Sequence, residues 1–242
     1  MLIQLLRQGM DISAVLTYIL SVLMIIFLIN PLHECAHGLV ACKLGDRTAK
    51  NMGRLTLNPM AHLDYMGALT MLIIGFGWAK PVPVNPRNFK KPRAGMLLTA
   101  LAGPLSNFLA AILGGLIFNL INTIMIKNGT FVYYAGKIYL GLGSDLGAMK
   151  YVFMFLEFFI VINISLAVFN LIPIPPLDGS KILFSFLPHS VSFKAQRYEL
   201  YISLILIVLI ATGALSNLLY PVQNWFYGLI SDLTALPFSW AW

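Results

Sequence analysis

The sequence predicts an all-α integral membrane protein. About four transmembrane helices are expected, with a short re-entrant or β-hairpin segment between the first two, in a single membrane-embedded domain over residues 1–242. Three observations predict it. Hydrophobic residues fill 59% of the 242 positions and charged residues only 10%, against roughly 25% charged in an average soluble domain. Mean hydropathy is +0.82, more apolar surface than a soluble domain of this size could hide. Uncharged apolar runs also recur at lengths suited to a bilayer, about 20 helical residues each.

The first run is uncharged from Ile12 to Leu32, and apolar character resumes after the group His33-Glu34-Cys35-Ala36-His37. No small-residue cleavage site follows it, so it reads as part of the fold rather than a signal peptide. The next apolar piece, Met66 to Phe76, is too short to span and is stopped by Gly75, Gly77, Pro81 and Pro83. The alternating stretch from Trp78 to Asn85 reads as a short extended strand, so a hairpin packed against protein rather than lipid fits best. Ala94 to Ile126 carries no charge, and Tyr151 to about Ile172 is broken only by Glu157. The fourth run is Leu200 to Tyr220. The tail, Pro221 to Trp242, holds Trp225, Phe226, Tyr227, Phe238, Trp240 and Trp242 and reads as an interfacial segment.

The net charge is +7, and its placement says more than its size. The loop after the first run holds nine of the sixteen Lys and Arg residues, the next loop three and the third loop three. With four spans the first and third loops share a side, which the positive-inside rule makes cytoplasmic. Both termini are then expected outside, in a multi-pass cell-membrane protein whose basic residues meet the lipid bilayer. No basic-aromatic interleaving supports nucleic-acid binding. Cys35 and Cys42 form no disulfide framework and read as small apolar thiols.

His33, Glu34 and His37 stand inside a segment that otherwise wants lipid. Burying such groups costs several kcal/mol unless something compensates them. His33 and His37 are i and i+4, on one helical face, and with Glu34 they form the H-E-x-x-H pattern, in which two imidazoles hold Zn2+ and the acid serves as base. A catalytic zinc takes three protein ligands. The candidates for the third are Asp46, Asp64, Glu157, Asp178, His62 and His189. Asp178 has the most suggestive context. Asn170 ends a membrane helix, Pro173, Pro175 and Pro176 force an extended path, and Gly179 allows a tight backbone. A broken segment at membrane depth belongs beside a cavity.

At these two motifs the chain resembles the site-2 proteases, the intramembrane zinc metalloproteases of peptidase family M50. The family patterns H-E-x-x-H and N-x-x-P-x-x-x-L-D-G stand here as His33 to His37 and Asn170 to Gly179 without a departure. Ala102 to Asn107 and the hairpin region are also similar, and the likeness covers roughly Leu28 to Leu183. The resemblance implies a catalytic core of about residues 12–183, in a minimal form without PDZ or CBS domains. It implies one catalytic Zn2+ held by His33, His37 and Asp178, with Glu34 as base. Asn170 would stabilise the oxyanion or hold substrate. Trp78, Val82 and Val84 would lie on a strand that pairs with an unwound substrate, and Pro173, Pro176 and Gly179 would shape the loop carrying Asp178. The partner would be a membrane-spanning protein substrate, cut in regulated intramembrane proteolysis.

Several residues have blander readings. Glu157 reads as snorkelling or hydrogen-bonded, Asn163 as an interhelical hydrogen bond, and Gly103, Asn107, Gly114 and Gly115 as a close-packing face, with Asn107 near the site as the alternative. His62 and His189 read as exposed interfacial histidines. The alternative function is a catalytically silent membrane protein that binds helices, against which the intact Glu34 argues. A metal or proton transporter would distribute polar groups over several spans at different depths, and here the first, second and fourth runs are nearly free of ionisable residues outside the motif.

Overall fold

The computed structural model describes residues 12–74, 77–134, 137–140, 146–188, 191 and 197–241. Helix α1 (Ile12–Met24) passes through a π turn (Ile25–Ile29) into α2 (Asn30–Lys43). The widening has a local cause. Pro31 has no N–H and its ring crowds the carbonyl four residues back. Just before it, the Asn30 N–H reaches back five residues to the Ile25 carbonyl. Short helices α3 (Thr48–Asn51) and α4 (Pro59–His62) follow, then α5 (Tyr65–Ile74).

The chain next runs without regular structure from residue 77 to 85 into a 3-10 turn, Pro86–Asn88. The expected strand over Trp78 to Asn85 forms no ladder among the described residues. Pro81 and Pro83 lack the N–H groups a ladder needs. Side chains and single backbone bonds hold this strap instead. Arg54 Nη2 donates to the carbonyls of Lys80 (2.9 Å) and Pro81 (3.1 Å), and Lys80 N–H donates to the His62 carbonyl. The strap does fold back on α5, because a Cβ on Gly67 would land on the backbone of Trp78. Gly75, which was expected to stop the apolar piece, lies outside the described residues.

Helix α6 (Pro92–Lys127) is the central element, packing on α2, α7 (Met149–Asn170) and α8 (Asp178–Phe186). Its small residues make this contact possible. A Cβ on Gly114 would strike Phe159, and one on Gly115 would strike Thr234. Between α6 and α7, β1 (Phe131–Tyr134) and β2 (Lys137–Leu140) pair antiparallel, with Phe131 opposite Leu140. The β-hairpin therefore lies after the second apolar run rather than after the first.

Among the described residues, three helices are long and apolar enough to cross a membrane: Tyr18–Lys43, Pro92–Lys127 and Met149–Asn170. The fourth run is not one helix. It divides into α9 (Glu199–Ala211) and α10 (Ala214–Ala235) at Gly213, whose φ of 75° is left-handed. With 13 residues, α9 is about 20 Å long, short of a hydrocarbon core of about 30 Å. The tail is not a purely interfacial segment either. Phe226 packs on Phe108, and Asn119 Nδ2 donates to Thr234 Oγ1, which draws α10 onto α6. An aromatic-rich end finds more apolar area on the bundle than the interface alone supplies. Trp242 lies outside the described residues.

One carboxylate ties the strap to the end of α2. Asp46 is fully buried and accepts from Thr48 N–H and Oγ1, from Asn85 N–H and from Asn88 Nδ2. Burial alone would raise its pKa, but these donors outweigh it and hold the carboxyl below the usual range. Because the folded value is depressed, the stabilisation is complete above the unfolded value of about 3.9 and is lost as pH falls through the folded one. Thermal unfolding of detergent-purified protein is expected to show wild type above Asp46→Asn by a constant margin near neutrality. The margin should shrink below about pH 4.

Candidate metal centre

His33, His37 and Asp178 converge although 145 and 141 residues of sequence separate the imidazoles from the carboxylate. His33 Nε2 and His37 Nε2 lie 3.1 Å apart. Asp178 Oδ2 lies 3.3 Å from the first and 3.0 Å from the second. All three side chains are buried.

The far side of each ring sets its tautomer. His37 Nδ1–H donates to the Thr99 carbonyl at 2.6 Å, and His33 Nδ1–H donates to Asn107 Oδ1 at 3.4 Å. Both Nε2 atoms then carry lone pairs, and both face a carboxylate oxygen. Three acceptors in contact with no donor among them repel unless a cation sits between them. Four-coordinate zinc with bonds of about 2.0–2.1 Å has ligand–ligand edges of about 3.3 Å, close to the spacing observed. The residues present therefore fit zinc in both geometry and donor type, and the Nδ1 partners supply the outer hydrogen bonds such a site needs.

Each element contributes for a local reason. α2 presents the two imidazoles on successive turns. Opposite them, a Cβ on Gly103 would fall on His37 Nε2 and on the His33 ring, so only glycine leaves room at that point of α6. Asp178 opens α8, and a Cβ on Gly179 would meet the carbonyls of Leu171 and Ile172. That close approach folds the α8 start back onto the end of α7. Leu177, beside the ligand, is buried with Leu206 and Leu215 from α9 and α10. The other carboxylate oxygen, Asp178 Oδ1, accepts from Lys181 Nζ at 2.9 Å.

The remaining expected residues fall in several places. Glu34 is half-buried, and its Oε2 accepts from the Val82 N–H at 2.7 Å. Val82 is buried, Val84 half-buried and Trp78 exposed. Asn170 donates from Nδ2 to its own helix at the Leu166 carbonyl, 3.0 Å away. Pro173 and Pro176 are exposed while Pro175 is buried.

Of the other candidates for third ligand, Asp64 accepts from the Gly67 N–H at the start of α5, and Asp46 anchors the strap. Glu157 is exposed along α7. His62 is not an exposed interfacial residue. It is buried, with Nε2 donating to the Thr56 carbonyl at 2.8 Å, because α4 is clamped under the strap through Lys80. His189 lies outside the described residues. Asn163 bonds its own helix at Phe159 rather than a neighbour.

Sequence reasoning missed Thr99 and Lys181, read Gly103 as packing, and left Asn107 between packing and a place near the site. No motif marks a backbone carbonyl, and a glycine's role appears only once the opposing face is known. Gly103→Ala is expected to lower zinc affinity about tenfold or more, the range of lost outer-shell support. Competition with a chromogenic chelator would measure it.

The comparisons with known proteins agree with this geometry. The chain is 39% identical over 193 residues to "Putative zinc metalloprotease YwhC" of Bacillus subtilis, covering 80% of this chain and 81% of that one. It is 25% identical over 201 residues to "Putative zinc metalloprotease Rip2" of Mycolicibacterium smegmatis, covering 81% and 68%. No solved structure gives a significant match. The model of peptidase family M50 matches residues 18–210, most of the chain, and the protein belongs to that family.

Proposed function

We propose that this chain is an intramembrane zinc endopeptidase of the site-2 type, cutting transmembrane segments of membrane-anchored substrates. One observation carries the reading. Two imidazole Nε2 atoms on a helix apolar enough to cross a bilayer meet a carboxylate oxygen from the start of α8 within 3.3 Å, and Glu34 adjoins the first ligand in sequence.

His33, His37 and Asp178 would hold one zinc ion. Bound there, zinc would supply Lewis-acid chemistry, polarising a scissile carbonyl and making water a competent nucleophile at neutral pH. The chain's own residues do the rest. Glu34 takes a proton from water and later returns it to the leaving amine. Asp178 keeps its charge directed at the site through Oδ2 while Lys181 balances Oδ1. Asn170 closes α7 where its amide would steady the oxyanion or the substrate backbone.

His33 lies ten residues before Lys43, about 15 Å along the helix axis. That depth supports chemistry within the bilayer. The substrate helix must unwind there, and its exposed backbone would pair with the strap carrying Trp78, Val82 and Val84. The excess of Lys and Arg in the loop after α2 supports a cytoplasmic-facing site in the cell membrane. A silent helix-binding protein of the same fold would need none of this chemistry at Glu34.

The test is co-expression with a tagged single-span substrate. Wild type should shorten it, and Glu34→Gln should slow cleavage by about 100-fold or more while retaining bound zinc. Equal cleavage by both would show that Glu34 is not the base. Absence of cleavage by metal-loaded wild type across a panel of spans would favour the silent reading.

A further inference from the structure

The strap holds the base. Pro81 and Pro83 carry no N–H, so Val82 has the single backbone donor between Lys80 and Val84. That donor is spent on Glu34 Oε2 at 2.7 Å. The contact is built in from several sides. Gly38, one turn beyond Glu34 on α2, is buried, and a Cβ there would press on the Val82 side chain at 3.3 Å. Before Val82 the strap is fixed by Arg54 and by the His62 carbonyl, and after it by Asp46 on the Asn85 N–H. These anchors leave the Val82 N–H aimed at the carboxylate.

In extended backbone, the N–H groups of residues 80, 82 and 84 share one edge. Lys80 N–H is already committed to His62. A substrate strand pairing along this edge beside Glu34 meets the Val82 N–H, the one that Glu34 now occupies. The two acceptors compete for one donor.

We propose that the Glu34–Val82 hydrogen bond is a latch that substrate itself opens. A carbonyl of the unwound substrate segment replaces Glu34 on the Val82 N–H, and the carboxylate is released toward the site in the same event. The Val82 donor stays paired at both stages, and the freed carboxylate exchanges it for the water that it deprotonates. Without a paired substrate the base stays tethered, which restrains turnover of short peptides and adventitious ligands. This rests on the protease reading for its purpose, though not for the existence of the latch.

Two measurements test it. The first is backbone amide exchange at Val82 in detergent-purified protein, which needs neither metal nor turnover and so is independent of the protease reading. Glu34→Ala should speed exchange at Val82 by about tenfold or more, while Glu34→Gln, which keeps an acceptor oxygen, should not. Unchanged exchange in Glu34→Ala overturns the latch whether or not the chain proves to be a protease.

The second uses Val82→Pro, which keeps an extended, apolar residue and removes the donor. With zinc loaded, acetohydroxamate should bind Val82→Pro about tenfold more tightly than wild type, because the carboxylate is free to meet it. Cleavage of the single-span substrate should weaken mainly through KM. Opposite signs for the small probe and the long substrate are the signature. Equal or weaker hydroxamate binding by Val82→Pro overturns the proposal, since a merely structural role would impair both.

Discussion

Two imidazole lone pairs and a carboxylate oxygen share one small volume of a dry interior, and the surrounding structure is arranged to keep them there. Such a cluster is costly on its own, because low dielectric magnifies the repulsion of unpaired acceptors. What makes it persist is the directional grip on the back of each group. Thr99 and Asn107 on α6 hold the rings by Nδ1, and Lys181 holds the carboxylate by its second oxygen. α6 is thus both the scaffold and the orienting wall, with Gly103 hollowing it where the rings press in.

The third group arrives by a different route. α7 ends at Asn170, and the chain must turn, cross a proline-rich link and restart as α8 with Asp178 in its first turn. A carboxylate in the first turn complements the positive end of the new helix. The link is kept in place by apolar contacts rather than by a ladder. Leu177 is buried with Leu206 and Leu215, and Phe169 and Ile172 pack beside them. The broken fourth run thus serves the site: the two helices on either side of Gly213 each present a leucine to the segment before Asp178.

The catalytic signature was legible because its chemistry is local and expensive. Ionisable residues at i and i+4 in an apolar helix admit few explanations, and Asp178 stood out because prolines forbade continued helix before it. The long apolar runs of α6 and α7 were legible because they are nearly uncharged, with no charge from Ala94 to Ile126 and only Glu157 from Tyr151 to Ile172. Less legible were features decided by distant partners. Gly213 looks like any small residue of a membrane helix until its left-handed φ divides the run. His62 was read as exposed because it falls in a loop between apolar runs, yet the strap buries it. The aromatics after Pro221 suit an interface equally well, and only Phe108, Asn119 and the space beside Gly115 decide that α10 packs on the bundle.

The π turn at Ile25–Ile29 sets the rotational phase of the whole first helix. Upstream, Tyr18, Val22, Ile25, Ile26 and Ile29 are buried with Met71 of α5 and beside Phe159 and Ile162 of α7. Downstream, His33 and His37 turn to α6. An α-helix advances about 100° per residue, and the five-residue reach from Asn30 to Ile25 absorbs one residue more than regular winding would. Were the same residues wound as a regular α-helix, the imidazoles would swing by about that angle relative to the apolar face upstream, away from Thr99 and Asn107. The site therefore depends on how this segment winds as much as on which apolar residues it carries.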